Sequence, residues 1–168
     1  MTDAALLNSP AVSAAIGLIW REAELLDRKD YKAWLNLWRD EGYYVIPIDP
    51  TATDFAASLN YVYDDKAMRV MRVERMSGGF SASASDAART VRNVSRFVVG
   101  EMRSETLGDI VELRSSQVVV ANKRGTTTLF GADLTHRIQV SGGEAKIIDK
   151  VIRLIDSTEA LHAIGFLL

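Results

Sequence analysis

The chain has 168 residues, of which 48% are hydrophobic and 25% charged, with a formal net charge of −2. Those values describe one ordinary globular domain spanning 1–168, large enough to bury roughly 70% of its unfolded surface. They exclude the strongly basic footprint of a nucleic-acid binder, and no run approaches the roughly 18 apolar residues that would span a bilayer. The first residues carry no basic stretch ahead of their apolar run, so no signal peptide is expected and a cytoplasmic location follows.

There is no cysteine, and there are two histidines, His136 and His162. Disulfides, thiolate zinc sites and cysteine nucleophiles are therefore impossible. An iron–sulfur cluster is excluded as well, since even the Rieske type needs two Cys and two His. Any redox chemistry must come from another chain or from a bound cofactor.

In chain order, Ser9-Pro10 is a helix start, with Ser at the N-cap and Pro at the first helical position. Val12, Ile16, Ile19, Ala23 and Leu26 then form one apolar helical face. Asp30 caps a second short helix over 31–38. After Gly42, the run Tyr43-Tyr44-Val45-Ile46 reads as a strand closed by Pro47 and Pro50. Asp64 precedes a third helix over about 65–76, and a polar small-residue loop follows over 77–88.

Beyond the loop, 90–99, 110–121, 126–140 and 145–155 are rich in Val, Ile and Thr and each fits a strand. Phe130, Ala132, Leu134, His136, Ile138 and Val140 share one face of the third of these. Ile148, Ile152 and Leu154 alternate with Asp149, Val151 and Arg153 on the fourth. Turns are expected at 122–125 and 141–144. Helices first and an antiparallel meander afterwards predict an α+β fold, with helices covering one face of a curved sheet.

Four stretches carry a family resemblance. The first holds Glu24-Leu25-Leu26-Asp27, Tyr31, Trp34-Leu35, Leu37, Asp40, Tyr44 and Pro47. The second holds Tyr63-Asp64-Asp65, Met68-Arg69 and Arg72-Val73. Arg89-Thr90 is the third, and the fourth runs from Lys150 to Asp156 and on through Leu161 to Phe166-Leu167-Leu168. In this order the chain resembles the small (β) subunit of aromatic-ring-hydroxylating dioxygenases, with the cone-shaped NTF2-like, or SnoaL-like, fold. It departs at the third stretch, where Val91-Arg92 stands in place of an Arg-His pair and Phe80 in place of a tryptophan.

The resemblance implies a homotrimer that binds three large (α) subunits in an α3β3 heterohexamer. It places the Rieske 2Fe-2S cluster and the mononuclear iron on the large subunit, with no cofactor and no metal on this chain. The chain would then be a non-catalytic structural subunit of a complex that oxidises aromatic compounds, while the complex as a whole is an oxidoreductase. The alternatives are a stand-alone SnoaL-like isomerase or dehydratase, or an orphan ligand-binding protein of the same fold.

His136 is the natural acid–base candidate, because its ordinary pKa lies near neutrality. Its plain reading is a buried, hydrogen-bonded histidine. Asp27 and Tyr31 are its candidate catalytic companions. Asp27 and Asp40 read more simply as helix-end residues and Asp64 as a cap. The adjacent pair Asp64-Asp65 points in divergent directions and makes a poor metal site. His162 reads as an interface or surface residue. Arg69, Arg72 and Arg75 share one helical face, and Arg89, Arg92 and Arg96 lie nearby in sequence. These arginines form a candidate docking surface for acidic residues of a partner. Trp34, Trp38, Tyr31, Tyr43 and Tyr44 read as core packing. A filled cone favours the subunit, and an open pocket holding His136 beside a carboxylate favours the enzyme.

Overall fold

The computed structural model describes residues 7–78, 87–159 and 164–168. Its described residues form three helices and one open sheet of six strands, in the order β2-β1-β6-β5-β4-β3. Helix α1 is Pro10–Asp27, α2 is Tyr31–Leu35 and α3 is Lys66–Ser77. Strands β1 and β2 are Tyr44–Pro47 and Asn60–Asp64. The long meander follows as β3 (Arg89–Glu105), β4 (Gly108–Lys123), β5 (Thr126–Ser141) and β6 (Glu144–Leu154). Neighbouring strands run antiparallel except β1 beside β6, which are parallel. This is the expected α+β architecture, helices on one face of a largely antiparallel sheet.

Helix α1 begins at Pro10, as its sequence signals predict. Ser9 occupies the N-cap with extended backbone, although its side chain makes no capping bond. Asp30 does cap: its carboxylate accepts from the Ala33 N–H at 3.1 Å. Helix α2 is shorter than the predicted 31–38 because the next residues pair with β6. Ile147 N–H donates to Leu37 O and Arg39 N–H to Ile147 O, both at 2.8 Å, which draws Trp38 out of helical geometry.

Two further boundaries differ from expectation. Asp64 is not a helix cap. It ends strand β2, unforeseen in the sequence, and Asp65 is the residue that caps α3 by accepting from Met68 N–H at 2.9 Å. Nor does Asp40 end a helix; it follows the Trp38 bridge and pairs with Lys66 at 2.8 Å. The hairpin of β3 and β4 extends past the predicted strands: pairing resumes after two register shifts and runs on from Met102 opposite Val111 to Glu105 opposite Gly108. It closes at Gly108, whose φ of 124° places the position of a Cβ 2.4 Å from Val140 O, so only glycine fits.

Alternation along β4 and β5 directs one set of side chains inward beneath α1. Val111, Leu113, Val119, Ala132, Leu134 and Ile138 are buried there, together with Val12, Ile19 and Leu26 of the helix. Trp34, Trp38 and Tyr44 pack edge to face with centroids 5.4–6.1 Å apart, which is the core role expected of them. The predicted loop falls partly on residues 79–86, which lie outside the described residues, as do Phe80, Leu161 and His162.

Candidate functional site

The inner face holds a polar cluster that is fully enclosed. Register sets its floor: Leu113 lies opposite His136, His136 opposite Lys150, and Lys150 opposite Tyr44, one row across four strands. Helix α1 supplies the roof. Glu22 lies three residues after Ile19 and four before Leu26, so it projects from the apolar face of the helix onto this row.

The Glu22 carboxylate is accordingly saturated. Trp34 Nε1 donates to Oε1 at 2.9 Å, Lys150 Nζ donates to the same oxygen at 3.1 Å, and His136 Nε2 lies 3.0 Å from Oε2. Burial pushes the Glu22 carboxyl up. The Lys150 ammonium, His136 and the Trp34 N–H outweigh it and hold the pKa at about 2. An ionised Glu22 only accepts, so His136 carries its proton on Nε2. Burial lowers the His136 pKa against the pull of Glu22, so the ring is neutral at pH 7. Burial lowers that of Lys150 too, and Glu22 opposes the shift.

His136 is 0% exposed. It does stand beside a carboxylate, but that carboxylate is Glu22, and among the described residues the pair is buried. A cleft of about 580 Å³ lies elsewhere, lined by Trp38, Arg39, Gln139, Ser141 and Lys146 among others, with neither His136 nor Glu22 in its wall. The interior is closed by the segment 164–168. Lys150 Nζ donates to the main-chain oxygen of Leu168 at 3.0 Å and Tyr44 Oη donates to it at 3.1 Å.

Asp27 is the last residue of α1, yet it does not serve its own helix end. It accepts from the Thr90 hydroxyl at 2.9 Å, from the Arg92 N–H at 2.8 Å and from the Arg92 guanidinium at 2.5 Å. This ties the helix to β3, and the second guanidinium nitrogen of Arg92 donates to Leu167 O. Tyr31 is buried close by. Burial raises its pKa against the opposing charge of Arg92 and a bond to the Leu167 backbone. Asp27 and Tyr31 thus surround Arg92, while His136 belongs to the Glu22 cluster.

The arginines separate into two groups rather than forming one surface. Arg69 is buried: its guanidinium stacks 4.3 Å above Trp38 and donates to the carbonyls of Gly42, Asp64 and Arg39. Arg92 is buried as well. Arg72 is half-buried in a bidentate pair with Asp64 at 2.5 and 3.0 Å. Only Arg75 and Arg89 are plainly exposed, along with Arg96, which pairs with Asp133. Spacing placed Arg69 and Arg75 on one stripe, but α3 lies against the chain leading into β1, and the first turn of that stripe is covered.

Sequence reasoning missed Glu22 and Lys150. Both were legible by position: Glu22 at helical spacing within the apolar face, Lys150 at strand parity with Ile148 and Ile152. Among the described residues, no group of three or more His, Asp or Glu could hold a metal ion. No described helix is long and apolar enough to cross a membrane.

Residues 21–159 match the family described as ring hydroxylating beta subunit. The chain is 25% identical over 145 residues to the N,N-dimethyl phenylurea N-demethylase subunit beta of Sphingobium sp. (strain YBL2), covering 83% of this chain and 81% of that one. It is 30% identical over 124 residues to the anthranilate 1,2-dioxygenase small subunit of Acinetobacter baylyi, covering 70% and 73%. The crystal structure of the beta subunit of benzoate 1,2-dioxygenase from Burkholderia mallei superposes with a TM-score of 0.70 at 24% identity, over 91% of this chain and 95% of that one. The NTF2-like fold and the match over most of the chain agree, and this protein belongs to the ring hydroxylating beta subunit family.

Proposed function

We propose that the chain is a non-catalytic subunit of an aromatic-ring-hydroxylating dioxygenase, a single domain over 1–168 working in the cytoplasm. It associates with copies of itself as a trimer and docks large subunits in an α3β3 assembly. The large subunit carries the Rieske cluster and the mononuclear iron. Family membership supports an α-subunit partner. The observation that supports the non-catalytic reading is the buried His136–Glu22–Lys150 cluster: Glu22 is bonded to both partners, all three side chains are buried, and the cleft described above has none of them in its wall. A stand-alone isomerase or dehydratase would need a substrate to touch His136.

Two surfaces suit the two kinds of partner. The outward side chains of β3 to β5 form an apolar row, with Val91 opposite Val120 and Val120 opposite Leu129. Val91 and Leu129 are 68% and 66% exposed, and Val118 and Ile155 extend the patch. A continuous apolar strip on a sheet face suits self-association. Arg75 and Arg89 offer exposed guanidinium groups for acidic residues of the large subunit.

Co-expression with a large subunit, followed by measurement of complex mass and iron content, tests this reading. The expected result is a mixed complex whose iron depends on the large subunit, weakened by the paired substitution Arg75→Glu and Arg89→Glu. A chain that stays monomeric without forming a mixed complex, or that turns over substrate by itself, overturns it.

A further inference from the structure

The segment 164–168 has the environment of a bound ligand. It belongs to no helix or strand, and yet Phe166, Leu167 and Leu168 are all buried. Regular elements satisfy their backbone with backbone; here side chains from three strands reach for it. Tyr44 of β1 and Lys150 of β6 donate to the Leu168 oxygen, the Leu168 N–H donates to Tyr44 Oη at 3.1 Å, and Arg92 of β3 donates to Leu167 O. Phe166 rests edge-on against Phe130, with ring centroids 5.6 Å apart.

On the inner face of the sheet, contacts among the described residues leave some polar capacity unused. A buried ammonium has three protons to place, and Lys150 gives one to Glu22 and one to Leu168. His136 Nδ1 and Ser115 Oγ are both buried without a hydrogen-bond partner among the described residues. They lie on the same inner face, since Ser115 is opposite Leu134, two residues from His136 on β5.

We propose that the inner face of the sheet is a binding site for a small apolar carboxylate, and that 166–168 occupies it as a built-in ligand. The apolar body takes the place of Phe166 against Phe130, and one carboxylate oxygen takes the place of the Leu168 oxygen between Lys150 Nζ and Tyr44 Oη. Two donors on a single oxygen, one of them the buried Lys150 ammonium, make charge-assisted bonds that a carboxylate oxygen accepts more strongly than an amide oxygen. This goes beyond the subunit role and does not depend on it.

The test compares the full chain with a variant ending at Gly165, titrated calorimetrically with 3-phenylpropanoate and with its uncharged amide. The shortened variant is expected to bind the carboxylate roughly ten-fold tighter than the amide, as charge-assisted bonding implies. The full chain is expected to bind neither in the same range. Adding Lys150→Met to the shortened variant should erase the preference. A second, full-length variant, Leu167→Gly with Leu168→Gly, opens the same volume without shortening the chain and is read the same way. Binding of acid and amide alike, binding of neither by a folded variant, equal binding by the full chain, or failure of both variants to fold each overturns the proposal. In the last case the segment is ordinary core.

Discussion

Each face of strands β3 to β5 carries some residues of the kind usually found on the other. The inner face, beneath α1, carries Arg92, Ser115, Gln117 and His136 among its aliphatic residues, all buried. The outer face carries Val91, Val118, Val120 and Leu129, all exposed. Charges are tolerated inside because each is matched, Lys150 by Glu22 and Arg92 by Asp27. Apolar residues outside have no such local compensation. One face is finished within the chain, and the other presents surface that self-association would cover.

The largest test of that contrast is to unbalance the inner face. Glu22→Leu leaves Lys150 as an unpaired charge at 1% exposure. It is expected to cost about 3–5 kcal/mol in denaturant unfolding. Lys150→Met added to it should recover a large part of that loss, because the pair is then removed together. A single substitution that costs under about 0.5 kcal/mol would show that the cluster contributes nothing to the folded state.

Next comes pH. Glu22 titrates lower in the folded chain, about 2 against an ordinary 4.5, so its stabilisation is present above pH 4.5 and is lost as pH falls toward 2. His136 is also lowered, so below its ordinary 6.5 the unfolded chain takes up a proton that the folded chain refuses, and stability falls there too. Unfolding midpoints should therefore decline from pH 7 to 5 and further from pH 5 to 3. His136→Gln should flatten the upper part of the decline and leave the lower. A profile equally steep in that variant would remove His136 from the account.

The smallest effect on stability is expected on the outer face. Leu129→Lys should change unfolding free energy by no more than about 0.5 kcal/mol, since the side chain already meets solvent. Sedimentation should nevertheless show weaker self-association. If the assembly is unchanged, the apolar row is not the contact between copies.

Much of this was readable beforehand. The helix start at Ser9-Pro10, the Asp30 cap, the meander of long strands and the closed hairpin turns follow from local chemistry. So does the central role of Trp34 and Tyr44. Errors arose where a residue's role depends on something distant. Asp64 looked like a cap by its place before a helix, but pairing with β1 makes it the end of a strand and frees it for Arg72. Asp27 is the helix terminus it reads as, but its bonding is set by β3, which brings Thr90 and Arg92 to it. Glu22 was overlooked because a carboxylate on an apolar stripe gains its meaning only from the lysine opposite.

By itself, the sequence determined the element order apart from β2, the α+β class, the family resemblance and the absence of any cysteine-based cofactor. These depend on periodicity, turn chemistry and composition, which act over a few residues. The tertiary structure decided which charges are buried and which arginines remain available, and it placed Lys150 between Glu22 and the chain's last residues. Those outcomes depend on register across four strands and on where a helix lands, because a charge is stable in the interior only where other parts of the chain supply its opposite, as for Lys150, or several accepting oxygens, as for Arg69.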